Sequence, residues 1–462
     1  MNFIPPELQR ILSQTRVLQR AFLVGGCVRD ALLGRPHGRD FDIEVFGASY
    51  DQLATALAAW GRTDVVGRSF GVVKLNTGSE FTYDFTVPRR DSKVAPGHKG
   101  FEIQFEPDIQ PREAAARRDF TINSLMFDPR ENGLLDFFGG KSDLTQRILR
   151  HTSPAFAEDP LRVLRGMQFA ARFSLTAAPE TIELARRIRD TYPQLAVERV
   201  RDEWLKWATD SVLPSAGLRF LLDTGWLDHF PELQAIVGVP QEPEWHPEGD
   251  VFIHTCHCCD AMARLPQWQA ADRETRAALM LGILTHDFGK PTTTHRALRD
   301  GVERITSPGH EEAGAPIARA FLQRIGVSLA LQERVLPFVR NHLIHYQTVT
   351  DRAVRRLAKR LEPESIEHLC LVITADANGR PPRPVVEPEV VKLLLARAHA
   401  LEVRRQPPVP ILMGRHLLDF GLAPGPRFSQ ILHTAYEAQL DGAFADLPSA
   451  RAWLEANINL AP

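Results

Sequence analysis

Cysteine is scarce in this chain: five among 462 residues, at Cys27, Cys256, Cys258, Cys259 and Cys370. The count is odd and three of the five fall within four positions, which excludes a disulfide framework and makes a reducing cytoplasm the simplest setting. No run of about 18 uncharged apolar residues occurs, so no membrane-spanning helix is expected. The opening MNFIPPELQRIL lacks the apolar core of a secretion signal. Net charge is nearly absent too, at −2, so a nucleic-acid partner must be met by local basic patches. One patch is DRAVRRLAKRLEPE, which sets Arg352, Arg355, Arg356, Lys359 and Arg360 at helical spacing around Val354, Leu357 and Leu361. It reads equally well as a solvated helix face. There is no internal repeat and no low-complexity tract.

What is present is the composition of a soluble globular protein, with 44% hydrophobic and 24% charged residues and length for about three domains. Residues 1–20 read as a short amphipathic helix. AFLV, FDIEVF, GVVKLN and FTYDFTV read as strands, with SYDQLATALAAWG as a helix between them, so residues 1–130 form a mixed α/β unit. Gly, Pro and charge in PRRDSKVAPGHKGFEIQFEPD predict a mobile loop over its first half. From Arg112 onward the pattern turns helical and is expected to stay so, through FAEDPLRVLRGMQFAARF, TIELARRIRDTY and ERVRDEWLKWATD. VPQEPEWHPEGD reads as a linker before a further helical block over 250–380, and GRPPRPVVEPE marks another boundary. The fold class is α+β: a small mixed α/β head (1–145), then an all-helical neck (146–240), body (241–380) and tail (381–462).

The stretch VGGCVRDALLGRPHGRDFDIEVFG places a glycine turn close to a carboxylate pair. Asp40 and Asp42 lie on one strand, whose period of two points both to one face with Cα atoms roughly 6.6 Å apart. Such a pair holds one divalent cation, or two about 3.5–4 Å apart, and Mg²⁺ favours a few carboxylates plus phosphate oxygens. Asp84, in YDFTV, is a candidate third carboxylate from a neighbouring strand. Gly25 and Gly26 follow a strand and open a helix, where backbone N–H groups can approach a triphosphate closely. Arg29, one turn on, is expected to add a charge-assisted bond to it.

G-G-C-V-R-D, R-D-F-D, R-R-D-F-T-I-N-S, D-F-F-G-G-K-S-D-L and E-D-P-L-R-V-L-R occur in that order, spanning residues 24–206 with ERVRDEWLK. The set resembles the bacterial class II tRNA nucleotidyltransferases, the CCA-adding enzymes, and their relatives the bacterial poly(A) polymerases. The resemblance implies a polymerase-β-like nucleotidyltransferase head and untemplated addition of C, C and A to tRNA from CTP and ATP. It implies Mg²⁺ on Asp40 and Asp42, with Asp84 as third carboxylate and possible base. It places Arg118 and Asp119 on the nucleotide, with Asn123 on the same helix face as Asp119. It assigns reading of the base to Glu158–Arg162, where Asp159 and Arg162, three apart, are expected on one helix face that Arg165 extends. An aspartate accepts from the exocyclic amine of C or A, whereas U and G present a carbonyl there. The loop at 89–100 matches the position of one needed for the final A. E-D-P-L-R fits CCA-adding and A-adding members alike, and a silent RNA-binding head remains a further alternative.

A second pattern follows. VFIHTCHCCD, LMLGILTHDFGKPTTT and TADANGR carry the H…HD…D order of the HD phosphohydrolase superfamily, which they resemble, at His254, His286, Asp287 and Asp376. A mixed His/carboxylate set suits Mg²⁺, Mn²⁺, Ni²⁺ or Fe²⁺ better than a closed zinc site. Some CCA-adding relatives hydrolyse 2′,3′-cyclic or 2′-phosphates with this domain, which implies the same here. His310, His342 and His345 are candidates to line a phosphate pocket. Cys256, His257, Cys258 and Cys259 contain no C-x-x-C and read as helix-packing thiols rather than a zinc site. The resemblance gives the C-terminal helices the tRNA elbow.

Overall fold

Alternation in the strand Asp40–Val45 sends Phe41, Ile43 and Val45 into the core, each fully buried, and leaves Asp40 and Asp42 on the opposite face. The structure is a computed structural model that describes residues 3–35, 38–64, 71–93, 101–346 and 349–458. It divides into two units. The first comprises Met1–Trp207 and Ala216–His229; the second comprises Ala208–Ser215 and Phe230–Pro462. No described helix is long and apolar enough to cross a membrane.

In the first unit, strands β1 (Ala21–Val24), β2 (Asp40–Val45), β3 (Arg62–Asp64), β4 (Val72–Asn76) and β5 (Thr82–Thr86) precede a hairpin of β6 (Arg89–Lys93) and β7 (Phe101–Phe105). Strands β8 (Met126–Asp128) and β9 (Gly133–Leu135) follow. Seven of them form one sheet in the order β3-β4-β5-β2-β1-β8-β9, in which β2 and β5 run parallel and the other pairs antiparallel. Helices Pro6–Gln14 and Tyr50–Leu57 bury Leu8, Ile11, Leu53 and Leu57 with Phe41, Ile43, Leu75 and Phe85. The segment expected as a mobile loop is in part the β6–β7 hairpin; residues 94–100 lie outside the described residues.

The expected helical continuity after Arg112 does not hold. β8 and β9 close the sheet against β1 because Met126 and Phe127 are needed in its core. Strands of three residues are too short to show a period. The motif D-F-F-G-G-K-S-D-L docks this corner. Asp136 caps the Gly140 and Lys141 N–H groups at 2.8 and 3.0 Å, and Asp143 accepts from Thr121 Oγ1 at 2.7 Å. Gly140 sits so close that a Cβ would collide with the Thr121 carbonyl.

In the second unit, helices Val251–Arg264, Arg273–Thr285, Leu329–Asn341 and Ile366–Asn378 pack together, each opened by a side-chain cap: Asp250, Asp272, Ser328 and Ser365. A hairpin of His295–Arg299 with Val302–Thr306 interrupts the helical block, turning at Asp300–Gly301 with positive φ at both. That Asp-Gly pair is the sequence signal for it. VPQEPEWHPEGD is not a free linker. Asp250 accepts from the Gly238 N–H at 2.7 Å, and Gln241 accepts from Lys290 Nζ at 2.7 Å, folding the segment onto the body.

The basic helix Asp351–Leu361 spends part of its charge on the tail: Arg352 and Arg356 pair with Asp441 at 2.8 and 2.6 Å, and Arg355 donates to the Leu440 carbonyl. It thereby clamps the helix Pro426–Asp441 of the tail, whose core is Leu417, Ile431, Ala435 and Leu454.

Gly140→Ala is expected to cost roughly 1–3 kcal/mol of stability, because the Thr121 backbone must retreat. Urea unfolding followed by circular dichroism measures it.

Candidate active sites

The head site is built where strand ends meet. Parallel pairing of β2 with β5 sets Asp42 opposite Asp84, and antiparallel pairing sets Val24 opposite Asp42, so the chain turns at Gly25 beside that carboxylate. Gly25 has φ +69°, and a Cβ there would lie 3.3 Å from Arg118 Nη1 and 3.6 Å from Asp42 Oδ2. Only glycine leaves this corner open. Gly26 opens the helix Gly26–Leu32. Asp40 lies two residues before Asp42 on the same face, in register with Thr82. Burial of its surroundings pushes the Asp42 carboxyl up; Arg118 opposes this, while Asp84 and Asp40 reinforce it. Asp84 pairs with Lys74 at 3.1 Å through Oδ2, and its Oδ1 is buried without a hydrogen bond.

Gly25, Gly26 and Asp42 border a cavity of about 520 Å³, with Asp84 set beside Asp42 by the strand register. Its far wall comes from the turn after the helix Pro111–Ala116 and from the helix Leu161–Phe173. Asp119 is buried. Burial disfavours its charge, but Arg165 at 2.7 Å, Asn123 Nδ2 at 3.0 Å and the Phe120 N–H at 2.8 Å prevail and hold its carboxyl below the usual range. Asn123 reaches Asp119 from a 3-10 turn, Thr121–Asn123, rather than along the expected helix face. Its Oδ1 accepts from Arg29 Nη1 at 2.6 Å. Arg29 borders the cavity with its guanidinium already engaged: by Asn123, by Asp30 at 2.8 Å, and by the Phe173 ring at 4.3 Å. Arg118 pairs with Glu44 at 3.0 Å.

Asp159 and Arg162 both line the cavity, but not as neighbours on a helix face. The helix begins at Leu161, and Asp159 precedes it in an extended conformation, accepting from the Leu161 N–H at 3.0 Å. Proline at 160 enforces this entry. Arg199, from the helix Val197–Asp210, grips Asp159 at 2.8 Å. Arg162 donates to the Ala155 and Arg117 carbonyls at 2.8 and 2.7 Å. Both side chains are therefore rigid before any ligand arrives. Among the lining residues cations outnumber carboxylates, which suits a polyphosphate.

The second site gathers at helix termini. His254 lies in the first turn of its helix, His286 and Asp287 directly follow Thr285, Asp376 is near the end of its helix, His310 begins another, and His342 follows Asn341. His254 Nε2 is 3.1 Å from Asp376 Oδ1 and 3.7 Å from Asp287 Oδ2, and His286 Nε2 is 3.2 Å from the same Asp287 oxygen. The other Asp287 oxygen faces His310 at 3.1 Å and His342 at 4.0 Å. All six are buried, and among the described residues three groups have metal-compatible spacing: His254, Cys258, His286 and Asp376; Asp287, His310 and His342; and His246, Glu248 and His254. Burial and the neighbouring His286 and His310 hold His342 down at about 3, so it is neutral with a lone pair to offer. The His286 Nε2 and Asp287 Oδ2 atoms, though close, make no well-directed hydrogen bond, and Lys290 Nζ lies 2.7 Å from the same Asp287 oxygen. Buried lone pairs converging this way fit a divalent cation.

All four sequence-predicted ligands come together here, joined by His310 and His342; the side chain of His345 lies outside the described residues. Cys256 and Cys259 are buried in the helix packing. Cys258 does differ: its Sγ lies 3.3 Å from His254 Nε2. Sequence reasoning also missed Glu248, whose side chain is fully buried and accepts from His254 Nδ1 at 2.7 Å, and His246, 2.9 Å from the same carboxylate. Their signal was Asp250. An N-cap folds the preceding residues back onto the first helical turn, where His254 sits.

A nucleotidyltransferase head joined to an HD domain is the class these features define. Residues 21–150 match the family model described as the poly A polymerase head domain, and residues 252–377 match the HD domain. The chain belongs to the multifunctional CCA protein family: it is 33% identical to the member from Acidovorax sp. (strain JS42), over 96% of this chain and 98% of that one. It is 38% identical to the member from Xanthomonas campestris pv. campestris (strain B100), over 78% of this chain and 85% of that one. The fold is that of solved CCA-adding enzymes. The Bacillus stearothermophilus enzyme in complex with CTP aligns over 98% of each chain at 20% identity and a TM-score of 0.61. The Thermotoga maritima enzyme complexed with tRNA aligns over 99% of this chain and 97% of that one, at 17% identity and a TM-score of 0.61.

Asp119→Asn leaves Arg165 without its counter-charge beside a buried amide. The expected loss is about 2 kcal/mol, since Arg165 keeps some solvent; equilibrium urea unfolding measures it.

Proposed function

We propose that the chain adds C, C and A to tRNA 3′ ends from CTP and ATP, and that its HD pocket hydrolyses phosphate esters at RNA ends with a divalent metal. The observation that carries the first part is Asp42, in register with Asp84, lining with the Gly25 turn a cavity whose other wall holds Asp159 and Arg162. Head, neck, HD body and tail occupy 1–145, 146–240, 241–380 and 381–462 in this reading.

Asp40, Asp42 and Asp84 would hold Mg²⁺, and the buried, unbonded Asp84 Oδ1 suits a cation ligand. When bound, the metal neutralises triphosphate charge and orients it. The chain's residues do the rest. Gly25 and Gly26 let the backbone approach the triphosphate, and Arg118 adds charge. Arg29 acts through Asn123, holding it on Asp119, which in turn holds Arg165. Asp159 accepts from the amine of cytosine or adenine while Arg162 donates to the adjacent acceptor. A good pair of this kind discriminates by roughly 1–3 kcal/mol, on the scale of side-chain readout of DNA bases. The tRNA 3′-hydroxyl attacks the α-phosphate and pyrophosphate leaves; Asp84 takes the hydroxyl proton in this reading. In the HD pocket His254, His286, Asp287 and Asp376 hold the metal (Mg²⁺, Mn²⁺ or Ni²⁺), with His310 and His342 beside the phosphate.

Given tRNA that ends at the discriminator base, the protein is expected to incorporate C from CTP alone, and A only after two C residues. Incorporation of A alone onto that end overturns the CCA reading. Asp40→Ala/Asp42→Ala should reduce incorporation by at least roughly a thousandfold. Glu248→Gln should weaken divalent-metal binding in the HD pocket by about 10–100-fold in calorimetric titration, by releasing the His254 ring, with nucleotide incorporation unchanged.

A further inference from the structure

The HD pocket has room, and one wall, that phosphate chemistry leaves unused. The cavity holds about 620 Å³, the size of a site for a whole small molecule rather than a phosphate group alone. The His/Asp cluster lines one part of it, through Asp287, His310, His342 and Asp376. Another part is Trp245, an indole 42% exposed, whereas Trp204, Trp207 and Trp226 are fully buried. The ring is braced. Arg304 stacks over it at 5.2 Å, and Arg304 is itself anchored to Glu244 and, at 3.6 Å, to Glu242. Glu242 also accepts from the Ile305 N–H at 2.9 Å, and its carbonyl accepts from the Trp245 N–H at 3.0 Å, so the hairpin and the Trp245 segment are tied together. Arg299, at the end of the first hairpin strand, lines the same cavity, and no carboxylate is paired with it among the described residues.

A rigid, half-exposed indole facing a cavity where phosphate-handling groups converge is a stacking platform for a base. We propose that Trp245 is the nucleobase subsite of the HD pocket. The ligand is a nucleoside 2′-phosphate or 2′,3′-cyclic phosphate, seated with its phosphate on the His/Asp cluster and its base on the indole. Arg299 meets the next phosphate when that nucleotide ends an RNA chain. This rests on the phosphohydrolase reading above.

The test uses the full chain loaded with Mn²⁺ and compares adenosine 2′-monophosphate with glycerol 2-phosphate, which has no base. Trp245→Ala should lower kcat/KM for the adenosine ester about tenfold, through KM, and leave the glycerol ester unchanged. Trp245→Phe should restore most of the loss. An equal loss on both esters, or none on the adenosine ester, overturns the subsite. Arg299→Ala should weaken hydrolysis of an oligoribonucleotide ending in a 2′,3′-cyclic phosphate and spare the mononucleotide; equal effects on the two overturn its role. If the wild type hydrolyses neither ester, the phosphohydrolase reading fails. Calorimetric titration of adenosine 2′-monophosphate into wild type and Trp245→Ala then decides the subsite by itself: weaker binding in the variant supports it and equal binding overturns it.

Discussion

The register between β2 and β5 is the constraint on which the head depends. A parallel pair has no hairpin to fix its alignment, so the apolar pattern must fix it instead. Phe41, Ile43 and Val45 on one strand and Tyr83 and Phe85 on the other are all fully buried, and a one-residue slip would expose them. The same alternation that secures the core thereby sets Asp42 opposite Asp84 on the other face. The Gly25 turn and the Asp119 network are then assembled around a carboxylate pair whose position the core has already decided.

The HD pocket solves the same problem with helices. Its ligands sit within a turn of helix ends, where the backbone changes direction and side chains from different helices can converge. Capping fixes where these helices begin, and Asp250 does so for the helix bearing His254. Asp287 then presents one oxygen to His254 and His286 and the other to His310, so a single carboxylate bridges the two halves of the cluster.

Much of this was legible in the sequence because the chemistry is carried by short, ordered patterns. The D-x-D strand, the glycine turn and the H…HD…D order each depend on spacing, and spacing survives translation into structure. What was not legible depends on long-range packing. β8 and β9 have three residues each, too few to display a period, and are strands only because β1 needs a neighbour. Asp159 was expected on a helix face from its spacing to Arg162; Pro160 ends that inference by starting the helix after it. The segment around Trp245 and Glu248 looked like a linker because proline and charge are what linkers contain. It is instead a pocket wall, stiffened by proline and held by its acids.

The attachment of Asp159 has an evolutionary side. One of its oxygens caps the first turn of a helix and the other is held by Arg199, while Arg162 is fastened to two backbone carbonyls. If these two residues choose the base, replacing either one also breaks a tie of the fold: the start of that helix for Asp159, the Ala155 and Arg117 carbonyls for Arg162. Drift toward a different nucleotide would have to cross a fold defect first, so accuracy here is inherited from architecture and erodes only with it.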